Sequence, residues 1–254
     1  MSKSILEIES LRKIFGGVLA LDDLSVTVAA DTITSVIGPN GAGKTTVFNL
    51  ITGYLSPTAG KLKYQGRLLN RKKPHAVAAM GISRTFQNVQ LFSSMSALEN
   101  VMVGRHLRSR AGLLSSCLLP PFARPEEKRI ESDARRWLAF VGLADAADTP
   151  ASSLPLGNQR MLEVARALAV EPNLILLDEP ASGLNTRETI AMGELIGKIR
   201  ESGVTVVLVE HDMELVMDIS DHVAVLNFGR LIADGPPKTI QENPDVITAY
   251  LGTG

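Results

Sequence analysis

Residues 32–53 read TITSVIGPNGAGKTTVFNLITG, and this stretch decides the fold. It opens with a β-branched run, Thr32–Ile37, which predicts a strand that stops at Gly38. It closes with Lys44–Gly53, whose pattern is typical of a helix. Between the two, the sequence matches G-x-x-x-x-G-K-[ST] in full, and the strand–loop–helix setting identifies it as a phosphate-binding loop.

The chemistry of this loop favours binding of a nucleotide with Mg²⁺. Glycines let backbone N–H groups converge on phosphate oxygens without obstruction by a Cβ atom, and the following helix adds its N-terminal dipole. Lys44 supplies a positive charge for the β- and γ-phosphates, and the Thr45 hydroxyl supplies a ligand for Mg²⁺. The alternative, a chance glycine turn, is disfavoured by the preceding strand. The predicted nucleotide contacts in the loop are Gly38, Asn40, Gly41, Gly43, Lys44, Thr45 and Thr46.

A second motif places two carboxylates directly after an apolar run. Leu174–Leu177 is followed by Asp178 and Glu179, and open α/β sheets bind their ligands at such strand ends. Asp178 suits Mg²⁺ binding through water, and Glu179 suits a general base that polarises an attacking water. A strand that ends in acids can also be a solvated turn, but the upstream phosphate loop favours the functional interpretation.

The remaining pattern predicts an α/β core with a largely parallel sheet and a helical insertion. Val204–Val209, like Leu174–Leu177, is a short apolar run typical of a buried parallel strand, and a helical stretch, Arg187–Glu201, separates the two. The other expected elements are a strand at Ser4–Phe15, an alternating segment at Leu24–Val28, a turn-rich segment at Pro57–Gly66, a basic solvated stretch at Arg67–Lys73, a mostly helical region from about Thr85 to Ala169 interrupted at Gly104–Pro125, and a hairpin of Val223–Leu226 with Arg230–Ala233.

Composition limits the classes of function. The 254 residues are 45% hydrophobic and 21% charged, and the formal net charge of -1 gives no basic signature for nucleic acid, so no nucleic-acid partner is expected. No apolar run approaches the roughly 18 residues of a spanning helix, and the N-terminus lacks the apolar core of a signal peptide. The single cysteine, Cys117, fits a reducing compartment. Any membrane role is therefore expected to come through a partner.

The order of the motifs resembles that of the nucleotide-binding subunits of ATP-binding cassette (ABC) transporters, from Leu6 to about Gly235. The co-linear motifs are the phosphate loop, a glutamine loop (Thr85-Phe86-Gln87), a signature segment (Leu154–Arg160), the Asp-Glu strand end, the segment Ser182-Gly183-Leu184-Asn185, and His211. The resemblance implies a P-loop NTPase (RecA-like) α/β core with an N-terminal antiparallel β subdomain and an inserted α-helical subdomain. It implies a single ATP-binding domain over 1–254, with the helical signature subdomain at approximately 88–165 and a helical tail at 236–254.

The resemblance also implies roles for residues that are weak signals alone. Phe15 stands where the family has an aromatic that stacks on adenine, with a core phenylalanine as the alternative. Gln87 matches a residue that senses Mg²⁺ and the attacking water and couples to the membrane subunit, and His211 matches a residue that contacts the γ-phosphate. The implied catalytic residues are Glu179, His211 and Gln87, and the implied Mg²⁺ residues are Thr45, Gln87 and Asp178.

The signature segment resembles the family pattern with departures. Gly157 and Asn158 match positions that reach across to ATP held by a second subunit, so the resemblance implies a shared site and a poor ATPase when the chain is alone. The family usually has Leu-Ser-Gly-Gly-Gln, whereas this chain has Leu-Pro-Leu-Gly-Asn at 154–158 and lacks the serine hydroxyl for the γ-phosphate. The family usually has Asp at the position of Asn185, a difference that bears on communication between the subunits.

Within the family, the chain is most similar to the ATP-binding subunits of branched-chain amino acid importers. The segments that carry this similarity are Phe15–Leu21, Leu98–Gly104, Asp178–Asn185 and Asn243–Gly252. The implied cofactors are ATP and Mg²⁺. The implied partners are two transmembrane permease subunits, a second ATP-binding subunit (a heterodimer is favoured and a homodimer is the alternative), and indirectly a periplasmic or extracellular solute-binding protein. The implied location is peripheral, at the cytoplasmic face of the inner (plasma) membrane.

Several alternatives stay open at the level of sequence. Importers for other amino acids, amides or urea share these features, and lipopolysaccharide-type exporters share many of the motifs. A soluble ABC ATPase acting on ribosomes or DNA is disfavoured by the single cassette, and a non-hydrolysing nucleotide clamp is disfavoured by Glu179. The basic region Arg105–Arg136 is either a surface near the membrane or its subunit, or a solvated helix face. Ala111–Phe122 is either a hydrophobic docking loop or a packed segment.

Overall fold

The computed structural model describes residues 3–106 and 123–251. The strands in this part of the chain are β1 (Ser4–Phe15), β2 (Val18–Ala29), β3 (Ile33–Ile37), β4 (Ala59–Tyr64), β5 (Arg67–Leu68), β6 (Ile82–Arg84), β7 (Leu174–Asp178), β8 (Thr205–Val209), β9 (His222–Asn227) and β10 (Arg230–Gly235). The α-helices are α1 (Lys44–Ile51), α2 (Pro74–Ala79), α3 (Ala97–His106), α4 (Ala123–Phe140), α5 (Leu156–Leu168), α6 (Thr186–Glu201), α7 (Met213–Ile219), α8 (Pro237–Gln241) and α9 (Pro244–Leu251).

A six-stranded sheet with the order β10-β9-β3-β8-β7-β6 forms the centre of the fold. The five strands from β9 to β6 run parallel, and β10 pairs antiparallel with β9 at one edge. Parallel strands need a crossover connection. Helix α6 supplies it between the neighbours β7 and β8, and α7 connects β8 to β9, which lies on the other side of β3. The predicted α/β fold with a largely parallel sheet is therefore confirmed.

The central strands are buried on both faces, and their side chains alternate between two apolar cores. In β7, Leu174 and Leu176 belong to the core shared with α1 and the second sheet, whereas Ile175 and Leu177 belong to the core shared with α5 and α6. This alternation follows from the two-residue period of a strand. Because both faces are covered, the strands are continuously apolar, which explains why the sequence pattern identified them.

An antiparallel sheet with the order β2-β1-β4-β5 covers one side of the core, as the resemblance implied. The prediction of a turn-rich segment at Pro57–Gly66 is wrong over Ala59–Tyr64, which forms β4 and pairs with β1. Leu62 and Tyr64 of this strand are fully buried. The segment becomes a strand because β1 supplies hydrogen-bond partners and an apolar face, neither of which is visible in the local sequence.

The helical region also differs from its prediction. Among residues 85–96 no helix forms, so the prediction of a helical region starting near Thr85 is wrong there. The α-helices in the described part of this region are α3, α4 and α5, which pack against one another. The prediction of an interruption at Gly104–Pro125 is wrong at both ends, because α3 continues to His106 and α4 begins at Ala123. The rest of that interruption, residues 107–122, lies outside the described residues, and so does the whole of Ala111–Phe122.

The proposed division at 88–165 and 236–254 stays a prediction. Helix α5 runs from Leu156 to Leu168 and so crosses the expected boundary at 165. The last two helices, α8 and α9, lie in the expected tail, where Ile240 and Val246 pack in a third apolar cluster with Ile37, the last residue of β3.

Ion pairs within the helices account for part of the basic region. Arg105 on α3 pairs with Asp133 on α4 at 3.0 Å and with Glu171 at 3.4 Å, and Arg136 also lies within 4 Å of both acids. These contacts give the two arginines ion-pair partners within the chain. None of the helices within 3–106 and 123–251 is both long enough and apolar enough to cross a membrane.

Helix α6 begins at a reciprocal cap. The side chain of Asn185 accepts a hydrogen bond from the N–H of Glu188 at 3.1 Å, and the Glu188 carboxylate accepts one from the N–H of Asn185 at 3.0 Å. This capping box satisfies two backbone donors that the helix cannot satisfy itself. The structure therefore gives the residue that departs from the family pattern a role in starting α6.

Asn185→Ala should destabilise the protein by about 1 kcal/mol, because it removes the acceptor for the Glu188 N–H. For a chain of this size, that corresponds to a fall of about 2–4 °C in melting temperature. Differential scanning calorimetry of the purified chain measures it. Asn185→Asp keeps the acceptor and is the control. If the alanine variant has the same melting temperature as the wild type, the cap does not contribute to stability.

Candidate active site

Four loops meet at one edge of the parallel sheet. Strands β3, β8, β7 and β6 are successive neighbours, and each is followed, at once or within two residues, by one of the predicted motifs. The phosphate loop follows β3, Glu179 follows β7, and His211 follows β8 by two residues. The glutamine loop follows β6. Because the carboxyl ends of parallel strands lie at the same edge, residues far apart in sequence are brought together there.

Lys44 lies inside the phosphate loop. Its ammonium group donates hydrogen bonds to the carbonyl of Gly38 at 2.6 Å and to the carbonyl of Pro39 at 3.0 Å. Burial lowers the pKa of Lys44, and the carboxylates of Glu179 and Asp178 oppose that shift. The lysine charge is thus already directed into the loop and is close to both acids of the second motif.

The glycines of the loop are required by close approach and by backbone conformation. A Cβ at Gly38 would lie 2.1 Å from the Leu226 carbonyl, and one at Gly43 would lie 2.7 Å from Leu21. At Gly41, by contrast, a Cβ would meet no atom within 4 Å, although its φ of +83° still favours glycine. The loop is therefore packed against the protein at Gly38 and Gly43 and is open at Gly41, and this arrangement fits a phosphate group.

Glu179 is held through both carboxylate oxygens. Gln87 donates from Nε2 to Oε2 at 2.8 Å, and His211 Nε2 lies 2.6 Å from Oε1. The backbone of Glu179 has a φ of +51°, a left-handed conformation that costs about 1–3 kcal/mol in a residue with a side chain. The structure thus brings together the three residues that the resemblance named as catalytic, at a strained backbone position.

Glu210 supports this cluster and was missed by the sequence analysis. Its buried carboxylate accepts hydrogen bonds from the N–H of Ala181 at 2.7 Å and from the N–H of His211 at 3.0 Å. Burial raises the pKa of this carboxyl group. It ties the loop after β7 to the loop after β8 and so fixes the separation of Glu179 and His211. The one sequence signal was an acid at the end of an apolar strand, immediately before the histidine.

Asp178 is buried and faces Arg84, a second residue that the sequence analysis missed. An Arg84 nitrogen donates to Asp178 Oδ2 at 2.7 Å, and no described residue donates to Oδ1. Within the described chain, no three acidic, histidine or cysteine residues cluster as metal ligands. One free carboxylate oxygen with the Thr45 hydroxyl is a donor set that suits Mg²⁺ held mainly by phosphates and water rather than by a protein cage.

Phe15 lies at the end of β1, where it pairs across the hairpin with Val18. Its side chain is 42% exposed, and the Lys13 ammonium lies 4.8 Å from the ring centroid. The core alternative is therefore wrong, because a core phenylalanine would be buried. Its stacking on adenine stays a prediction.

The signature segment begins helix α5, and Gly157 there packs against another motif. A Cβ at Gly157 would lie 2.6 Å from the Glu188 carboxylate, which closes the cap of α6. Pro155 provides no side-chain cap. Across the described residues, no hydrogen bond or ion pair joins 154–158 to the phosphate loop. The contact of Gly157 and Asn158 with ATP stays a prediction.

The fold and this cluster define an ATP-binding cassette. A family model described as ABC transporter matches residues 21–182, which is more than half of the chain. The chain belongs to the ABC transporter family and is an ATPase of that family, whose cassettes hydrolyse ATP to power transport. A second model, described as branched-chain amino acid ATP-binding cassette transporter, matches residues 230–254.

Relatives match the chain over nearly its full length. The high-affinity branched-chain amino acid transport ATP-binding protein BraF of Pseudomonas aeruginosa is 46% identical over 253 residues, with 99% of each chain covered. LivG of Escherichia coli strain K12, described in the same words, is 44% identical over 253 residues, again with 99% of each chain covered. The solved ADP conformation of an ATP-binding cassette of an ABC transporter is 31% identical, has a TM-score of 0.87, and is matched over 99% of this chain and 100% of that chain.

Phe15→Ala should weaken binding of ATP and ADP alike by about 1–3 kcal/mol, the range for stacking of a base on an aromatic ring. Because the side chain is half exposed, the melting temperature should hardly change. Fluorescence titration with a labelled nucleotide measures the affinity. Val18→Ala, at the cross-strand partner, is the matched control and should bind as the wild type; a loss of stability without a loss of affinity would contradict the stacking role.

Proposed function

We propose that the chain hydrolyses ATP at this edge of the sheet with Glu179 as the general base. The observation that carries the proposal is that Gln87 and His211 hold both oxygens of the Glu179 carboxylate, close to the buried Lys44. A carboxylate fixed in this way can accept a proton from a water that attacks the γ-phosphate. The strain of its left-handed backbone is tolerated because hydrogen bonds join the surrounding loops.

The phosphate loop and Phe15 account for binding. The open backbone near Gly41 and the Lys44 ammonium would hold the β- and γ-phosphates, with Lys44 exchanging its two carbonyl partners for phosphate oxygens. Gly38, Asn40, Gly43 and Thr46 complete the loop. The Phe15 ring, exposed at the end of β1, would stack on adenine.

Mg²⁺ would be held by Thr45, by the free oxygen of Asp178 through water, and by Gln87 when it leaves Glu179. The metal would supply charge neutralisation on the phosphates when bound. Gln87 would therefore have two alternative partners, the metal with its water or the carboxylate of Glu179. When its partner is the carboxylate, Gln87 holds Glu179 in place before the nucleotide binds.

Two subunits of this kind are needed for a complete site. The family works as a dimer of cassettes with membrane components. Among the described residues, Gly157 and Asn158 form no hydrogen bond with the phosphate loop of their own chain, and they would complete the ATP site of a second cassette. The favoured partner is a shorter sister ATPase, with a second copy of this chain as the alternative.

The membrane partner would dock in a groove between the sheet and the helices. A cavity of about 790 Å³ is lined by His75 and Phe86 from the core side and by Val103, Glu163 and Arg166 from α3 and α5. Phe86 belongs to the glutamine loop, and Gln90, which also lines the cavity, follows Gln87 by three residues. A permease segment in this groove would therefore contact the loop that carries a catalytic residue. The chain would sit at the cytoplasmic face of the membrane and attach there through its permeases.

The solute we propose is a branched-chain amino acid, imported with a solute-binding protein. Full-length similarity to BraF and LivG supports this class over importers of amides or urea and over lipopolysaccharide-type exporters. The test is uptake of radiolabelled leucine, urea and acetamide in cells that lack the gene, with and without the complementing gene. Complementation of leucine uptake is the expected result. Co-purification with an export complex and no uptake defect would overturn import.

Glu179→Gln should retain ATP binding and lower hydrolysis by roughly 10²–10⁴-fold, the usual contribution of a general base. The amide is nearly isosteric and still bonds Gln87 or His211, so the melting temperature should stay close to that of the wild type. Phosphate release by the complex with its membrane partners measures the rate. Glu201→Gln makes the same chemical change on the exposed end of α6 and is the control. Hydrolysis at the wild-type rate in Glu179→Gln would exclude Glu179 as the base.

A further inference from the structure

Arg84 connects three elements of the active site, although no motif includes it. It is the last residue of β6 and pairs in register with Leu176 of β7. Its side chain is only 6% exposed. One nitrogen donates to Asn49 Oδ1 on α1 at 2.7 Å, and the other donates to Asp178 Oδ2 at 2.7 Å. The guanidinium thus joins the helix of the phosphate loop to the acid at the end of β7.

Two aromatic rings fix the guanidinium plane. The centroid of Phe48 on α1 lies 5.4 Å from the central carbon of the guanidinium, and that of Phe86 in the glutamine loop lies 5.0 Å away. Stacking on aromatic faces and a fork of donors are properties of arginine that lysine does not share. Arg84 is therefore held in one orientation by groups other than Asp178, and this lets it orient Asp178 in turn.

Asp178 depends on this contact. Its side chain is 5% exposed, and Arg84 is the one described residue that forms an ion pair with it. An ionised carboxylate in such surroundings is unfavourable unless a cation and hydrogen bonds compensate it. Arg84 occupies Oδ2 and leaves Oδ1 without a donor from the described residues, so the carboxylate is already oriented before any metal binds.

We propose that Arg84 is a positioning residue for Mg²⁺, acting through Asp178. It holds Oδ2 of the carboxylate and so leaves Oδ1 available to the phosphate-bound metal, with no contact of its own to metal or nucleotide. The proposal deepens the proposed function, since it rests on the assignment of Asp178 to Mg²⁺.

A competing effect predicts the opposite result. A positive charge beside a metal ligand repels the metal, so removal of Arg84 could strengthen Mg²⁺ binding. Orientation outweighs repulsion here, because without Arg84 the buried carboxylate would turn toward another donor such as Lys44, which already interacts with it. Loss of a group that orients a metal ligand typically lowers metal affinity by about 10–100-fold.

The experiment measures the dependence of nucleotide binding on Mg²⁺ in the purified full-length chain. Trinitrophenyl-ATP is the fluorescent probe, displaced by ATP, first in EDTA and then across a titration of Mg²⁺. Arg84→Met keeps most of the side-chain volume between the two rings and removes the charge and the donors. It should raise the Mg²⁺ midpoint, the Mg²⁺ concentration at which half of the change in ATP affinity has occurred, by about 10-fold or more. ATP affinity in EDTA should stay within about twofold of the wild type, because the phosphate loop is intact.

Three further variants separate positioning from a purely structural role. Arg84→Lys keeps the charge and one donor and should recover part of the loss. Arg105→Met removes the ion pairs of α3 with Asp133 on α4 and with Glu171, and should lower the melting temperature without moving the Mg²⁺ midpoint. In the background of Asp178→Asn, Arg84→Met should cause no further change in the midpoint, since the two residues act as one unit.

The outcomes distinguish this proposal from the function on which it rests. An unchanged or lower midpoint in Arg84→Met overturns the proposal, and so does an equal loss of affinity with and without Mg²⁺. If Arg84→Met does not fold, the proposal is tested with Arg84→Lys instead. A wild-type Mg²⁺ midpoint in Arg84→Lys overturns the proposal. A wild-type chain that binds ATP with no dependence on Mg²⁺ removes the metal role of Asp178 itself, and the role of Arg84 with it.

Discussion

The parallel hydrogen bonding of β6, β7, β8 and β3 is the constraint on which the active site depends. It orders four strands that are distant in sequence and directs all their carboxyl ends to one edge. Each loop that leaves this edge carries part of the chemistry: the phosphate loop, the glutamine loop, Glu179 and His211. A change of register in any one strand would turn its apolar side chains to the wrong core and displace the loop that follows it.

Charge compensation is the second requirement, because several ionised groups are buried at that edge. Lys44 and Arg84 face Asp178 and Glu179, so that two cations lie among two carboxylates. Each cation is also bonded to neutral acceptors, Lys44 to loop carbonyls and Arg84 to Asn49. Such an arrangement contributes little net stability, since desolvation of the charges offsets their attraction. Its physical consequence is a set of functional groups already oriented before a nucleotide arrives.

The helical part of the chain meets this edge through buried polar contacts of α5. Glu163 accepts a hydrogen bond from the N–H of Gln90 at 3.1 Å, and Arg160 lies 3.4 Å from the carbonyls of both Phe86 and Ser182. The signature helix is thus bonded to the glutamine loop and to the segment after Glu179. Movement of α5 would be transmitted to Gln87 through these contacts, and this gives the groove lined by Phe86 and Glu163 a physical link to the catalytic carboxylate.

The sequence by itself determined the parallel core, the phosphate loop, and the chemical identity of Lys44, Asp178 and Glu179. These are local signals: continuous apolar runs, a fixed spacing of glycines, and acids at a strand end. It could not determine β4, because Ala59–Tyr64 becomes a strand only where β1 offers it partners. Nor could it find Arg84 or Glu210, since a lone charged residue at the end of a short strand looks solvated until its neighbours are known. Only the tertiary structure decided these, because burial and pairing arise between segments that are far apart in the chain.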